Sequence, residues 1–139
     1  MTPLTPEQAS SERYRDGLRV RSEVLGAEHV QRSLEQASEF SAPMQTLVTE
    51  YCWGAVWDRP GLDRRDRSLI NVGMLTALGR SHEIAVHVRG AITNGCTETE
   101  IQEALLQASV YCGVPAGMEA FRVADAVLRE QQAPAGASS

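Results

Sequence analysis

Between Leu78 and Gly95 the chain reads Leu-Gly-Arg-Ser-His-Glu-Ile-Ala-Val-His-Val-Arg-Gly-Ala-Ile-Thr-Asn-Gly. At helical period Ile84, Val88, Ala91 and Ile92 form an apolar stripe, and His87 falls on the same side. Glu83 lies one turn before His87, so carboxylate and imidazole can touch along the helix surface. A histidine held this way can carry a proton near neutral pH. It can equally be a core histidine with a hydrogen-bonded partner. On these residues the plainer reading has the weight, because periodicity fixes a face and not a chemistry.

Both tryptophans lie in Glu50-Tyr51-Cys52-Trp53-Gly54-Ala55-Val56-Trp57. They can wall an aromatic ligand site, or they can anchor a core otherwise built from small residues. Glu50 stands among Leu47, Tyr51 and Trp53, so it is expected to be partly buried. Arg59, Arg64, Arg65 and Arg67 crowd the next junction. A guanidinium forks onto a carboxylate, which suits an anionic substrate. The competing reading is a solvated helix start whose arginines pair with Asp58, Asp63 and Asp66. His29 and His82 read as surface residues. Cys52 and Cys112 sit in apolar helical patterns and read as small core residues, whereas Cys96 follows a turn and is expected to be more exposed. Three cysteines without Cys-x-x-Cys make no disulfide framework, zinc site or dithiol centre. No Gly-rich phosphate loop, Gly-x-Ser-x-Gly or metal-ligand set is present.

The elements that must position these residues are helical throughout. Thr5-Pro6-Glu7-Gln8 is a capping box that opens a helix to about Val24, with Gly26 as its stop. A short helical segment follows from Glu28 to Phe40. Ser41 is expected to cap a helix burying Met44, Leu47, Val48, Tyr51, Cys52 and Ala55. Pro60-Gly61 turns the chain. Asp63 starts a helix whose apolar face is Leu69, Ile70, Gly73, Met74, Ala77 and Leu78, ended by Gly79. Ser81 opens the His87 helix, which stops at Asn94-Gly95. A second capping box, Thr97 to Glu100, starts a helix carrying Ile101, Ala104, Leu105, Ala108 and Cys112. Pro115 begins the last helix, with Phe121, Ala124 and Leu128 inward. The pattern predicts an all-α bundle of about six to seven helices. Residues 1–130 read as one domain and 131–139 as a disordered tail.

With 139 residues, 42% apolar and 5% aromatic, the chain can build one core from small aliphatic side chains. A net charge of -5 with mixed signs and no basic face points away from nucleic acid. No apolar run approaches the ~20 residues of a membrane span. The opening residues lack a secretory pattern, so a cytoplasmic location is expected.

The order of segments is similar to γ-carboxymuconolactone decarboxylase, in the larger family that also holds the alkylhydroperoxidase AhpD. The resemblance is carried by Glu50-Tyr51-x-Trp53-Gly54-x-x-Trp57-x-Arg59-Pro60-Gly61-Leu62-Asp63-Arg64-Arg65, then Arg67-Ser68-Leu69 and Leu75-x-Ala77-Leu78-Gly79-Arg80. Glu83-x-x-x-His87-x-Arg89-x-Ala91, Asn94-Gly95 and Tyr111-x-Gly113-Val114-Pro115-Ala116 complete it. It implies an AhpD-like helical subunit in a homo-oligomer, trimer or hexamer, with sites at or near subunit interfaces. It also implies cofactor-independent loss of CO₂ from an anionic lactone, γ-carboxymuconolactone, giving β-ketoadipate enol-lactone in protocatechuate catabolism. His87 and Glu83 match the family's helix histidine and glutamate, and Glu50, Trp53, Trp57 and Arg59 match its upstream motif. In one assignment His87 is the general acid oriented by Glu83. In the other, Glu50 delivers the proton and His87 stabilises the oxyanion. Arg59 or Arg67 holds the retained carboxylate, while Trp53 and Trp57 exclude water. Alternatives are a repurposed member acting on another lactone or a quinone, and an AhpD-like peroxidase. The peroxidase dithiol would fall where this chain has Ser81 and Ile84.

Overall fold

The computed structural model describes residues 6–132. Among them are seven α-helices, one π-helix and no strand, as the all-α reading expects. The chain divides after Asp63 into two compact units.

In the first unit, α1 (Pro6–Leu25) is followed by α2 (Ala27–Glu35) and α3 (Ala42–Leu47). The latter runs directly into the π-helix Val48–Trp57. Gly26 ends α1 at φ 93°, a conformation that favours glycine. Ser41 precedes α3, but its hydroxyl accepts the Ser38 N–H at 2.9 Å instead of capping the helix. The π-helix packs tightly on α1 because two glycines face the contact. A Cβ on Gly17 would overlap the Thr49 carbonyl oxygen, and one on Gly54 would overlap that of Arg13.

The π turn is wider than the α turn, so positions four and eight apart stay close to one side, while the i, i+3, i+7 row of an α-helix is spread around the axis. Thr49, Trp53 and Trp57 are therefore the buried positions, against Val20 and Val24 of α1. This corrects the face expected from a period of 3.6. Met44, Leu47, Tyr51 and Cys52 are exposed.

The second unit contains α4 (Arg64–Leu78), α5 (Ser81–Thr93), α6 (Glu98–Cys112) and α7 (Val114–Gln132). Its core joins Val72, Ile84, Val88, Ile101, Leu105 and Val127 with alanines of α5 and α7. Gly79, Gly95 and Gly113 close α4, α5 and α6 at positive φ. The expected capping box is present: Thr97 Oγ1 accepts the Glu100 N–H, and Glu100 Oε1 accepts the Thr97 N–H.

On α4 the buried seam is Ser68, Val72 and Thr76, whereas Met74 and Leu78 are 51% and 68% exposed. The expected inner face is thus largely the outer one. Burial of the polar seam is inexpensive, because Thr76 donates to the Val72 carbonyl at 2.7 Å and Ser68 accepts from Asn94 at 2.9 Å.

The cysteine expectations are reversed. Cys96 is buried and donates to the Arg65 carbonyl, while Cys112 is exposed beside Tyr111. Burial pushes the Cys96 thiol up, with Arg65 acting against the shift. The expected Thr5 cap and residues 133–139 of the expected tail lie outside the described residues, and α7 continues through Gln132.

Candidate functional site

Helix α5 owes its place to its ends and its apolar stripe. The Arg80 N–H bonds back to the Leu75 carbonyl as α4 closes. Ser81 then donates to Glu119 at 3.1 Å, tying the start of α5 to α7. Ile84, Val88 and Ala91 are buried, as the periodicity predicts. His87, three residues after Ile84, lies half-buried beside that stripe.

Two groups act on the imidazole from known positions. Nδ2 of Asn71, on α4, is 3.4 Å from Nδ1 of His87. Glu83 is exposed, one turn earlier on α5. Burial pushes the His87 imidazole below the usual histidine range, and the charge of Glu83 works against that shift. Arg67 is half-buried on α4, one turn before Asn71 on the same flank. The second unit therefore brings together a half-buried imidazole, an amide, a carboxylate and, by helical register, a guanidinium.

Asn71 is absent from the sequence-derived site. Its signal is an isolated amide inside Ser-Leu-Ile-Asn-Val-Gly-Met-Leu, a poor choice for a helix interior unless the side chain has work elsewhere.

The remaining candidates belong to the first unit. Glu50 is half-buried on the π-helix and accepts a hydrogen bond from Ser10 Oγ at 2.8 Å. Trp53 and Trp57 stack with ring centroids 4.7 Å apart, and only 3% and 5% of their surfaces are exposed. In this unit they are core anchors. Arg59 is exposed in the turn after the π-helix. Of the acids expected to pair with the arginine cluster, Asp58 meets Arg19 at 3.3 Å, and Asp66 meets Arg65 at 3.2 Å. Arg65 also pairs with Glu100. His82 is exposed as expected, and His29 is half-buried.

Two of the concavities in the second unit have defined linings. One, of about 250 Å³, is edged by Glu98 and Asp125, whose charge opposes an anionic ligand. The other, of about 420 Å³, is an open apolar groove along α4 and α6 lined by Leu69, Ile70, Gly73, Ala108 and Tyr111. Neither is lined by His87. Among the described residues no three His, Cys, Asp or Glu side chains cluster as metal ligands, and no helix is long and apolar enough to cross a membrane.

Comparison with known proteins bears on what these residues do. The model of the carboxymuconolactone decarboxylase family matches residues 42–126, a span holding every candidate from Glu50 to His87. The chain is 46% identical over 117 residues to the nitrosuccinic acid decarboxylase of Metarhizium robertsii, covering 84% of this chain and 82% of that protein. It is 44% identical over 119 residues to the 4-carboxymuconolactone decarboxylase of Acinetobacter baylyi, covering 86% and 89%. Both relatives remove CO₂ from a small acid, and this chain is a decarboxylase belonging to the carboxymuconolactone decarboxylase family.

Proposed function

We propose that this decarboxylase converts γ-carboxymuconolactone to β-ketoadipate enol-lactone, in cytoplasmic catabolism of protocatechuate and related aromatics. The observation that carries the reading is the half-buried His87, with Asn71 at its Nδ1, in a chain 44% identical to a 4-carboxymuconolactone decarboxylase. The bond from the γ-carbon to its carboxylate breaks, and its electrons pass through the ring double bond to the lactone carbonyl oxygen. The dienolate then takes a proton at the α-carbon. The substrate is its own electron sink, so no cofactor is required. What the protein must supply is a donor for the charge growing on oxygen.

Burial favours the neutral imidazole, and a neutral imidazole is a good hydrogen-bond donor but a poor proton source. We therefore assign His87 to the lactone oxygen, as a hydrogen-bond donor to the charge that grows there. Glu83 tunes His87 through its charge. Arg67 or Arg59 pairs with the acetate arm, which stays ionised throughout. Trp53 and Trp57 act by fixing the π-helix that carries Glu50. The outward Ile70, Met74 and Leu78 of α4 support a symmetric homo-oligomer, trimer or hexamer, to be measured by light scattering at assay concentration.

The 46% identity to a nitrosuccinic acid decarboxylase favours a second reading. In nitrosuccinate the electrons released with CO₂ pass to nitro oxygens, and a second carboxylate is retained. The demands on the protein are the same: a donor at the oxygen sink and a cation for the surviving carboxylate. Incubating purified protein with each substrate decides between them. Loss of CO₂ from the lactone with enol-lactone formation is expected. Preferential turnover of nitrosuccinate overturns the assignment in favour of the second reading.

A further inference from the structure

We propose that Asn71 is a positioning residue that holds His87 as the Nε2–H tautomer, so that the proton His87 offers its substrate is on Nε2. The inference rests on the reading of His87 as a neutral donor to an oxygen, and it names the nitrogen that donates.

The geometry is short to state. The Asn71 amide nitrogen faces His87 Nδ1 at 3.4 Å across α4 and α5. An amide N–H₂ can only donate, so Nδ1 must offer its lone pair. A neutral imidazole carries one N–H, and with Nδ1 accepting, that hydrogen is on Nε2. The same contact opposes a second proton. An imidazolium would turn an Nδ1–H toward a donor, leaving two hydrogens face to face. Burial of the ring acts in the same direction, and the Glu83 carboxylate one turn away acts against both. Asn71 is in the middle of the fifteen-residue helix α4, between the buried Ser68 and Val72, so its backbone is held by the core.

The consequence is chemical. As electrons reach the carbonyl oxygen of the substrate, a donor aimed at that oxygen strengthens its bond. The opposite tautomer would present an imidazole lone pair to a growing negative charge. Turning the Asn71 amide over would produce that opposite tautomer, because the carbonyl oxygen would then accept from Nδ1–H. The two arrangements therefore predict different imidazoles.

Long-range ¹H–¹⁵N correlation on histidine-labelled, ligand-free protein at pH 8 reads the tautomer directly. Wild type is expected to show Nδ1 unprotonated and Nε2 protonated at His87. Asn71→Asp places an acceptor at Nδ1 and is expected to reverse the pattern while raising the pH at which His87 titrates. In the same variant kcat should fall about 10²-fold with KM within about threefold, since a wrong tautomer removes a transition-state contact and leaves ground-state binding. Asn71→Leu, which removes the donor without adding an acceptor, should give a mixture of tautomers and about a tenfold loss. An Nδ1–H tautomer in wild type overturns the proposal, whatever the variants do. So does a folded Asn71→Asp protein that keeps the wild-type pattern. No substrate enters the spectra, so wild type with the expected tautomer and no turnover of the lactone would overturn the functional reading alone.

Discussion

Two basic side chains, one in each unit, are withdrawn from water and treated differently. In the first, Arg21 is 6% exposed, lying between α1 and the π-helix. Its Nη1 donates to Gln45 Oε1 at 2.9 Å and to Thr49 Oγ1 at 3.2 Å, and its Nε has no hydrogen-bond partner. In the second, His87 is half-buried with the Asn71 amide at Nδ1. Burial lowers the proton affinity of both. The guanidinium starts so far above neutrality that it stays charged regardless. The imidazole starts near the working pH, so the same physical effect changes its state. Burial alone marks no chemistry; it matters where the group titrates within reach of neutral pH.

The sharpest way to break this comparison is to remove each group. His87→Ala should lower kcat about 10²-fold or more, the scale of a lost donor at a developing oxyanion. His29→Ala and His82→Ala are the controls and should change kcat little. Steady-state kinetics on folded variants decide it, and wild-type turnover by His87→Ala would make His87 a core histidine.

Arg21→Met should act on the fold instead. Gln45 and Thr49 lose their shared donor, at a cost of about 1–3 kcal/mol by urea titration, while kcat of the folded protein changes by less than about threefold. A folded Arg21→Met protein without turnover would make the fixed charge a functional one.

The glycines sharpen the contrast at the level of packing. Gly17 and Gly54 meet opposing backbone, which has no flexible end to move, whereas nothing lies within 4 Å of a Cβ built on Gly73. Gly17→Ala and Gly54→Ala should each destabilise by about 1–3 kcal/mol, as overpacking does. Gly73→Ala should stabilise the isolated helix by about 0.5–1 kcal/mol. Thermal unfolding of the three variants tests the ordering. A benign Gly17→Ala would mean that α1 and the π-helix do not approach through bare backbone.

Helix ends were legible in the sequence because their signals are local. Thr97 and Glu100 cap one another within a turn, and Gly26, Gly79 and Gly95 have the positive φ that each stop requires. The faces were less legible, for two reasons. From Val48 to Trp57 the π-helix has a longer period, so a row read at i, i+3, i+4 and i+7 does not stay on one face, and Thr49 and both indoles are buried while Tyr51 and Cys52 are exposed. On α4 the apolar residues do form one strip, but the strip faces outward, because periodicity reports which surface is apolar and not what covers it. The His87–Glu83 pair was readable as an i, i+4 relation on one helix. Asn71 was not, since its contact with His87 joins two helices sixteen residues apart.

The smallest expected effect follows from the state of His87 and has a definite sign. The unfolded chain titrates this histidine near its ordinary value of about 6.5, and the folded chain titrates it lower. Above pH 7 neither state holds the proton, and His87 adds nothing to the pH dependence of stability. As pH falls through about 6.5 the unfolded state takes up the proton first, so unfolding is favoured. The loss grows until pH reaches the folded value, and below that it is constant. Wild type should therefore lose stability relative to His87→Gln between pH 7.5 and 5, measured by urea unfolding at each pH on the two proteins side by side. Glu83→Gln removes the charge that opposes the shift, so it should deepen the acid loss. If wild type instead gains on His87→Gln as pH falls, the Glu83 charge outweighs burial, His87 is held as an imidazolium, and general-acid catalysis by His87 replaces the neutral donor.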